Sequence, residues 1–184
     1  MADGTLKVGT ITTSSGSGTI TIGQSGETVT IPSGATVSGF PDNTPAFSAY
    51  SNDNQTISDS TWTKVELDTE EYDSNGTFAT NKFTPAIAGN YYLYGRLNVD
   101  TAHNTAGASD IHIAFYKNGS IYTRQQQRWL GYPQRNVGVQ ISATLSLDDD
   151  DYVELYAYCD DGQNSPVIDG DTKQIWFTGY KIGA

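Results

Sequence analysis

The sequence predicts an all-β protein, a β-sandwich head preceded by a short repetitive β-segment. Three observations predict it. Nineteen Gly and six Pro are scattered among many Ser, Thr and Asn, so turns break the chain at short intervals. Apolar residues recur at alternate positions instead of at the helical spacing of about 3.6 residues. The segment up to Gly39 repeats a pattern of Thr and β-branched residues that the rest of the chain lacks. With 36% apolar and 11% aromatic content in 184 residues, there is material for one core and an appendage.

The appendage comes first. Thr10-Ile11-Thr12, Thr19-Ile20-Thr21-Ile22 and Thr28-Val29-Thr30-Ile31 are offset by nine residues, and Thr36-Val37-Ser38 follows after eight. The intervening SSGSG, GQSGE and PSGA are turns by composition, so each repeat reads as one short strand and one reversal. A lone copy leaves its apolar stripe and strand edges unpaired. Three chains intertwined into a thin β-shaft solve this, with Ile11, Ile20, Ile22, Val29, Ile31 and Val37 toward the common axis. The competing reading is a flexible low-complexity linker.

Residues 40–45 (FPDNTP) form a turn-rich boundary, which sets the domains as 1–39, a linker at 40–45, and a head at 46–184. In the head, AFSAY (46–50) is a short strand. TWTKVELDTEEYD (61–73) is an interrupted one that ends in Ser74-Asn75-Gly76, and Thr77 to Phe83 leads into KFTPAIAGNYYLYGRLNV, Lys82 to Val99. There Tyr91, Leu93, Gly95, Leu97 and Val99 face one way and Tyr92, Tyr94, Arg96 and Asn98 the other. Asp110 to Lys117 alternates Ile111, Ile113 and Phe115 against His112, Ala114 and Tyr116. Asn118-Gly119 then reverses it into Ser120 to Leu130, a strong hairpin signal.

After a loop at 131–136, VGVQISATLSL sets Val139, Ile141, Ala143, Leu145 and Leu147 against Gln140, Ser142, Thr144 and Ser146, one face core and one wet. Asp148 to Asp151 turns the chain into YVELYAYCD, where Val153, Leu155, Ala157 and Cys159 oppose Glu154, Tyr156 and Tyr158. A long loop from Asp160 to Asp171 leads to the last strand, Lys173 to Ile182, apolar or aromatic on both faces: Ile175 and Phe177 on one, Trp176, Tyr180 and Ile182 on the other.

A net charge of −11 with only ten Lys and Arg disfavours nucleic acid and anionic lipid as partners. The single Cys159 excludes an internal disulfide framework and reads as a buried small apolar residue. No apolar run is long enough for a membrane helix, and MADGTLKVG lacks the basic start and apolar core of a secretory signal. The expectation is synthesis in a cytoplasm and no membrane insertion.

Several residues also carry a family resemblance. Phe47-Ser48-Ala49, Phe83-Thr84-Pro85, Gly89-Asn90-Tyr91-Tyr92, Lys117-Asn118-Gly119, the Leu147 to Leu155 hairpin and the closing Phe177-Thr178-Gly179-Tyr180 occur in the order found in complement-component globular heads. The stretch from about Ala46 to Ile182 resembles that family of tumour-necrosis-factor-like jelly rolls, with Leu93 where the family usually has an aromatic. The resemblance implies a ten-stranded jelly-roll sandwich assembled as a homotrimer through one sheet. It does not imply complement activity. There is no collagen-like Gly-X-Y stalk. The Thr-Ile-Thr repeat in its place is similar to bacteriophage fibre proteins.

Tyr116, Tyr156, Tyr158, Trp176 and Tyr180 lie on the outward faces, in strands that the family places in one sheet, and they are the expected trimer interface. Left to solvent, five large aromatics make a large apolar patch. Arg124, Arg128, Trp129, Tyr132 and Arg135, in an acidic chain, gather guanidinium and flat aromatic groups suited to a glycan. The alternative for them is pairing with Asp residues across a trimer. Family members carry calcium near the trimer apex, and Asp160, Asp161, Asp169 and Asp171 are the candidate oxygen ligands, although their spacing is not that of an EF-hand loop. The alternative there is a solvated acidic turn.

No catalytic constellation is visible. His103 and His112 have no nucleophile motif beside them, and the adjacent Glu70 and Glu71 point to opposite faces of a strand. The expected function is that of a non-enzymatic phage virion protein, a trimeric fibre or capsid decoration. Its N-terminal region binds other virion proteins, and its jelly-roll head contacts a host surface glycan. The runner-up is a soluble trimeric recognition module that binds glycan or protein with calcium. A glycan hydrolase on a fibre is third.

Overall fold

The computed structural model describes residues 9–13, 18–35, 43–100, 108–130, 137–160, 162 and 166–183, with the backbone alone at 108–109 and 129–130. The chain divides into two compact units, Met1–Gly39 and Phe40–Ala184.

In the first unit two of the three expected reversals, GQSGE and PSGA, are present, and SSGSG lies largely outside the described residues. The amide of Glu27 donates to the Gln24 carbonyl at 3.0 Å and that of Ala35 to the Pro32 carbonyl at 3.1 Å. Gly23, Gly26 and Gly34 supply the positive φ of these turns. The expected short strands are not formed among the described residues of this unit. Ile11, Ile20, Ile22, Val29 and Ile31 are 57%, 42%, 68%, 57% and 49% exposed, and Val37 lies outside the described residues. The physical reason is that a β-ladder needs a second strand, and three or four residues with one apolar stripe cannot hold one within a single chain.

The second unit is a two-sheet sandwich of thirteen strands: β1 (Ala46–Ser51), β2 (Gln55–Thr56), β3 (Thr63–Lys64), β4 (Thr69–Asp73), β5 (Phe78–Ala79), β6 (Lys82–Phe83), β7 (Gly89–Asp100), β8 (Ala108–Lys117), β9 (Ser120–Leu130), β10 (Val137–Leu147), β11 (Val153–Asp160), β12 (Val167–Ile168) and β13 (Ile175–Lys181). Five of them are two residues long, which is how the count exceeds the expected ten. The described residues hold no α-helix, only a 3₁₀ turn at Asp171–Lys173.

The first sheet runs β4-β1-β13-β7-β10, with β12 beside the far end of β7 and β2 outside β12. The second runs β5-β6-β11-β8-β9, with β3 on the β6 side of β11. Every pairing is antiparallel. Parity holds as the sequence predicts: Tyr91, Leu93, Leu97 and Val99 of β7, and Val139, Ile141, Leu145 and Leu147 of β10, are buried, with Ala143 half-buried against them.

Phenylalanines from both sheets fill one end of the core. The Phe47 ring lies 4.5 Å from Phe83 and 5.0 Å from Phe78, both stacked, and meets Phe177 edge-on at 4.9 Å. The sheets approach closely at Gly95, since a Cβ there would sit 2.6 Å from Leu155 Cδ1 and 3.4 Å from Phe115 Cε1. Cys159 is buried, as expected of a small apolar residue.

Candidate functional site

The two outer faces of the sandwich differ in chemistry. On the first sheet the register builds cross-strand rows: Tyr50, Trp176, Arg96 and Gln140; Ser48, Thr178, Tyr94 and Ser142; Ala46, Tyr180, Tyr92 and Thr144. Several of its polar groups are hydrogen-bonded within the unit, while Arg96 Nε is buried without a hydrogen-bond partner among the described residues. Arg96 donates from Nη2 to the Lys173 carbonyl at 2.6 Å and packs over the Trp176 ring, 5.2 Å from its centroid. Trp176 Nε1 donates to Ser48 Oγ at 2.7 Å, and Tyr94 OH donates to Gln140 Oε1 at 3.1 Å. Asn98 donates to Gln174. A broad groove of about 1160 Å³ runs from this face to the β9 edge, past Tyr92, Tyr94, Arg96, Gln140, Arg124 and Gln127.

The second sheet presents a cluster of rings. Tyr158 of β11 stands opposite His112 of β8, and His112 opposite Gln126 of β9. The next row is Lys64, Tyr156, Ala114 and Arg124. Trp62, just ahead of β3, lies against three rings: Tyr158 at 5.4 Å, His112 at 5.7 Å and Tyr116 at 5.9 Å. Tyr116 and Tyr156 stack at 3.8 Å. Burial pushes both of their hydroxyl pKa values up, Tyr116 further through Tyr156, and Tyr156 further through Glu154 and Tyr152. Burial, helped by the charge of Arg124, holds the His112 pKa below the usual imidazole value against the opposing pull of Asp110. Lys64 anchors β3 by donating to Glu154 Oε1 at 2.7 Å.

The five aromatics expected to share one interface are therefore split. Trp176 and Tyr180 lie in the first sheet, whereas Tyr116, Tyr156 and Tyr158 lie in the second. All five are outward, as read. The error is in the assignment to sheets, because alternation along a strand fixes its face but not its neighbours.

Of the expected glycan contacts, Arg124 and Arg128 stand on β9 with exposed side chains, and Arg128 Nε is 4.0 Å from Asp110 Oδ1. Trp129 is described by its backbone alone, and Tyr132 and Arg135 lie outside the described residues. Of the expected metal ligands, Asp160 ends β11 opposite Asp110, while Asp169 and Asp171 follow β12 in the other sheet. Asp169 Oδ1 accepts from the Asp171 amide at 3.0 Å, and Asp161 is outside the described residues. Among the described residues no group of three or more His, Cys, Asp or Glu is placed to hold a metal ion. Glu71 is held by Lys173 at 3.0 Å and by Ser48 at 3.3 Å.

Trp62, Asp110 and His112 were not singled out from the sequence as a group. The available signal was the outward run Asp110, His112, Ala114 and Tyr116, which matches the outward Tyr156 and Tyr158 once β8 and β11 are known to pair.

No protein-family model matches the chain, and no curated protein sequence matches it. Among solved structures, the globular domain of zebrafish complement 1qA protein is 18% identical over 77% of this chain and 98% of that one, with a TM-score of 0.49. The Eiger TNF of S. frugiperda is 13% identical over 77% of this chain and 94% of that one, with a TM-score of 0.50. The second likeness shows the fold: the Phe40–Ala184 unit is a tumour-necrosis-factor-like jelly roll.

Proposed function

We propose that this chain is a non-enzymatic structural protein of a bacteriophage particle, a homotrimeric fibre or capsid decoration whose jelly-roll head meets the host surface. The observation that carries the trimer is the outer face of the first sheet. Trp176 Nε1, Arg96 Nη2 and the Tyr94 hydroxyl are already hydrogen-bonded within the unit, so a second copy can cover these groups without stranding them, and Arg96 Nε alone stays buried without a partner among the described residues. Trp176 and Tyr180 form the centre of that contact in this reading, joined by Tyr92 and Tyr94.

The N-terminal repeat supports a fibre. Its exposed isoleucines alternate with threonine, and three copies supply the missing strands and bury the stripe. The same region joins the particle. The test is solution mass by multi-angle light scattering on the full chain and on a chain starting at Ala46. Trimers of both are expected. A monomer of the full chain would remove the shaft and the assembled head together.

A further inference from the structure

The ring cluster on the second sheet holds a small pocket. It is lined by Trp62, Asp110, His112, Arg124 and Tyr158 and measures about 230 Å³. That is below the size of a drug-sized ligand site and fits a single ring. His112 is 8% exposed, yet its Nδ1 is buried with no hydrogen-bond partner among the described residues. Orphaned buried nitrogens are rare and need a reason. Nor do Trp62 Nε1, the Tyr158 hydroxyl or the Arg124 guanidinium make a hydrogen bond among the described residues. On the first sheet Trp176 Nε1, Arg96 Nη2 and the Tyr94 hydroxyl are engaged, while Arg96 Nε is likewise buried without a hydrogen-bond partner among the described residues. Here the residues that carry these groups line one small aromatic hollow.

We propose that this pocket binds one neutral sugar ring, stacked against the Trp62 indole and held at its rim by Arg124, Asp110, Tyr158 and His112. The ligand class follows from charge and shape. Arg124 lines the hollow and repels a cation, which rings alone would attract. Asp110 lines it too and repels an anion, as does the charge of −11 on the chain. A pyranose is neutral, offers an apolar C–H face to an aromatic ring, and carries hydroxyls that both donate and accept. Arg124, Tyr158 and Trp62 supply donors, and Asp110 an acceptor, with one oxygen already receiving Gln126 at 2.9 Å. This inference deepens the reading of the head as a host-surface binder by naming its ligand class and site, and its test is separable from that of the trimer.

The experiment is a nuclear magnetic resonance titration of the full chain, following the indole Nε1–H signals of its three tryptophans. The probes are the methyl glycosides of glucose, galactose and N-acetylglucosamine, with tetramethylammonium and inorganic phosphate as charged controls. One indole signal, assigned to Trp62 by its loss in Trp62→Phe, shifts saturably with at least one glycoside. Arg124→Ala weakens that binding by roughly tenfold or more. Tyr158→Phe weakens it less, with the remaining amide signals in place.

The proposal is overturned if no glycoside moves the Trp62 signal, if only another indole responds, or if a charged probe binds in place of the sugars. Light scattering on the same samples separates the two readings. A trimer without sugar binding removes the pocket alone, and sugar binding by a monomer removes the trimer alone.

Discussion

Trp62→Ala tests how the ring cluster is built. A tryptophan side chain buries about 150–250 Å² when fully covered. Trp62 is half-buried, so its loss returns roughly 100 Å² to water. At about 25 cal/mol per Å² this costs about 2–3 kcal/mol. For a domain of this size that lowers the melting temperature by roughly 5–10 °C. The cost depends on pH because Trp62 covers His112, edge-on at 5.7 Å. The folded His112 pKa is depressed below 6.5, first by burial and then by Arg124, with Asp110 opposing. The unfolded chain therefore binds a proton that the folded wild type refuses. Wild-type stability is full above about pH 6.5 and falls as the pH drops below it.

Removing the indole rehydrates the imidazole, returns its pKa toward 6.5, and removes most of this acid loss, while the charges of Arg124 and Asp110 remain. The stability gap between wild type and Trp62→Ala is therefore widest near about pH 7.5 and narrows toward about pH 5.5. Urea unfolding at the two pH values measures the gap, and the His112 Cε1–H signal reports the titration directly. A gap that does not change with pH, or an imidazole that titrates identically in both proteins, refutes the account of His112 as held neutral by Trp62.

Gly95→Ala should destabilise by about 1–3 kcal/mol, because the new methyl meets Leu155 Cδ1 at 2.6 Å. Combined with Leu155→Ala, which costs about 2–5 kcal/mol alone, the pair should cost less than the sum in urea unfolding, and strict additivity would deny the contact between sheets. The Asp151 carboxylate accepts from the Asp148 amide and from Asn118 and pairs with Lys117 at 2.6 Å, and together these hold its pKa down to about 2. Its contribution is present above about pH 4 and lost as the pH falls through about 2, so Asp151→Asn should cost roughly 1 kcal/mol near neutrality, after solvent screening, and clearly less at about pH 2, where the folded carboxyl is about half protonated. An equal loss at both pH values in thermal melts would exclude the ionic account. Gly119 sits at φ +77° in the β8–β9 turn without crowding, so Gly119→Ala should cost about 1 kcal/mol through backbone strain alone, with Gly119→Asn costing less.

Much of the head was legible because several of its strands have one dry and one wet side. Tyr91 to Val99 and Val137 to Leu147 alternate so regularly that the face of each side chain follows from parity, and Asn118-Gly119 fixes its hairpin through the positive φ of both residues. Strand partners were not legible. The two-residue β3 docks on β11 through Lys64 and Glu154, 90 positions apart, and nothing local in either segment announces the other. For the same reason the aromatic side chains outside the core were gathered into one interface when the fold puts them on opposite sheets, and β12 was read as part of a loop. The pocket went unread because Trp62 looked like one residue of an interrupted strand and His112 like an isolated strand histidine. Only the pairing of β3, β11, β8 and β9 brings them together.

A sandwich has two outer faces, and the proposed reading gives each a different task. A face that docks against a copy of itself is best internally satisfied, because any orphaned donor costs more when water is excluded. The first sheet approaches that condition through Ser48 to Trp176, Lys173 to Arg96 and Gln140 to Tyr94, with Arg96 Nε left as a buried exception among the described residues. A face that captures a small solute must instead hold donors in reserve around an aromatic surface, and the second sheet does so at Trp62, Tyr158, Arg124 and His112. In the proposed trimer the first sheets are consumed at the axis, so the second sheets are left at the periphery with one pocket each. In that proposed arrangement a weak pyranose contact would be multiplied by three pockets per head, which is the regime in which weak sites give firm attachment.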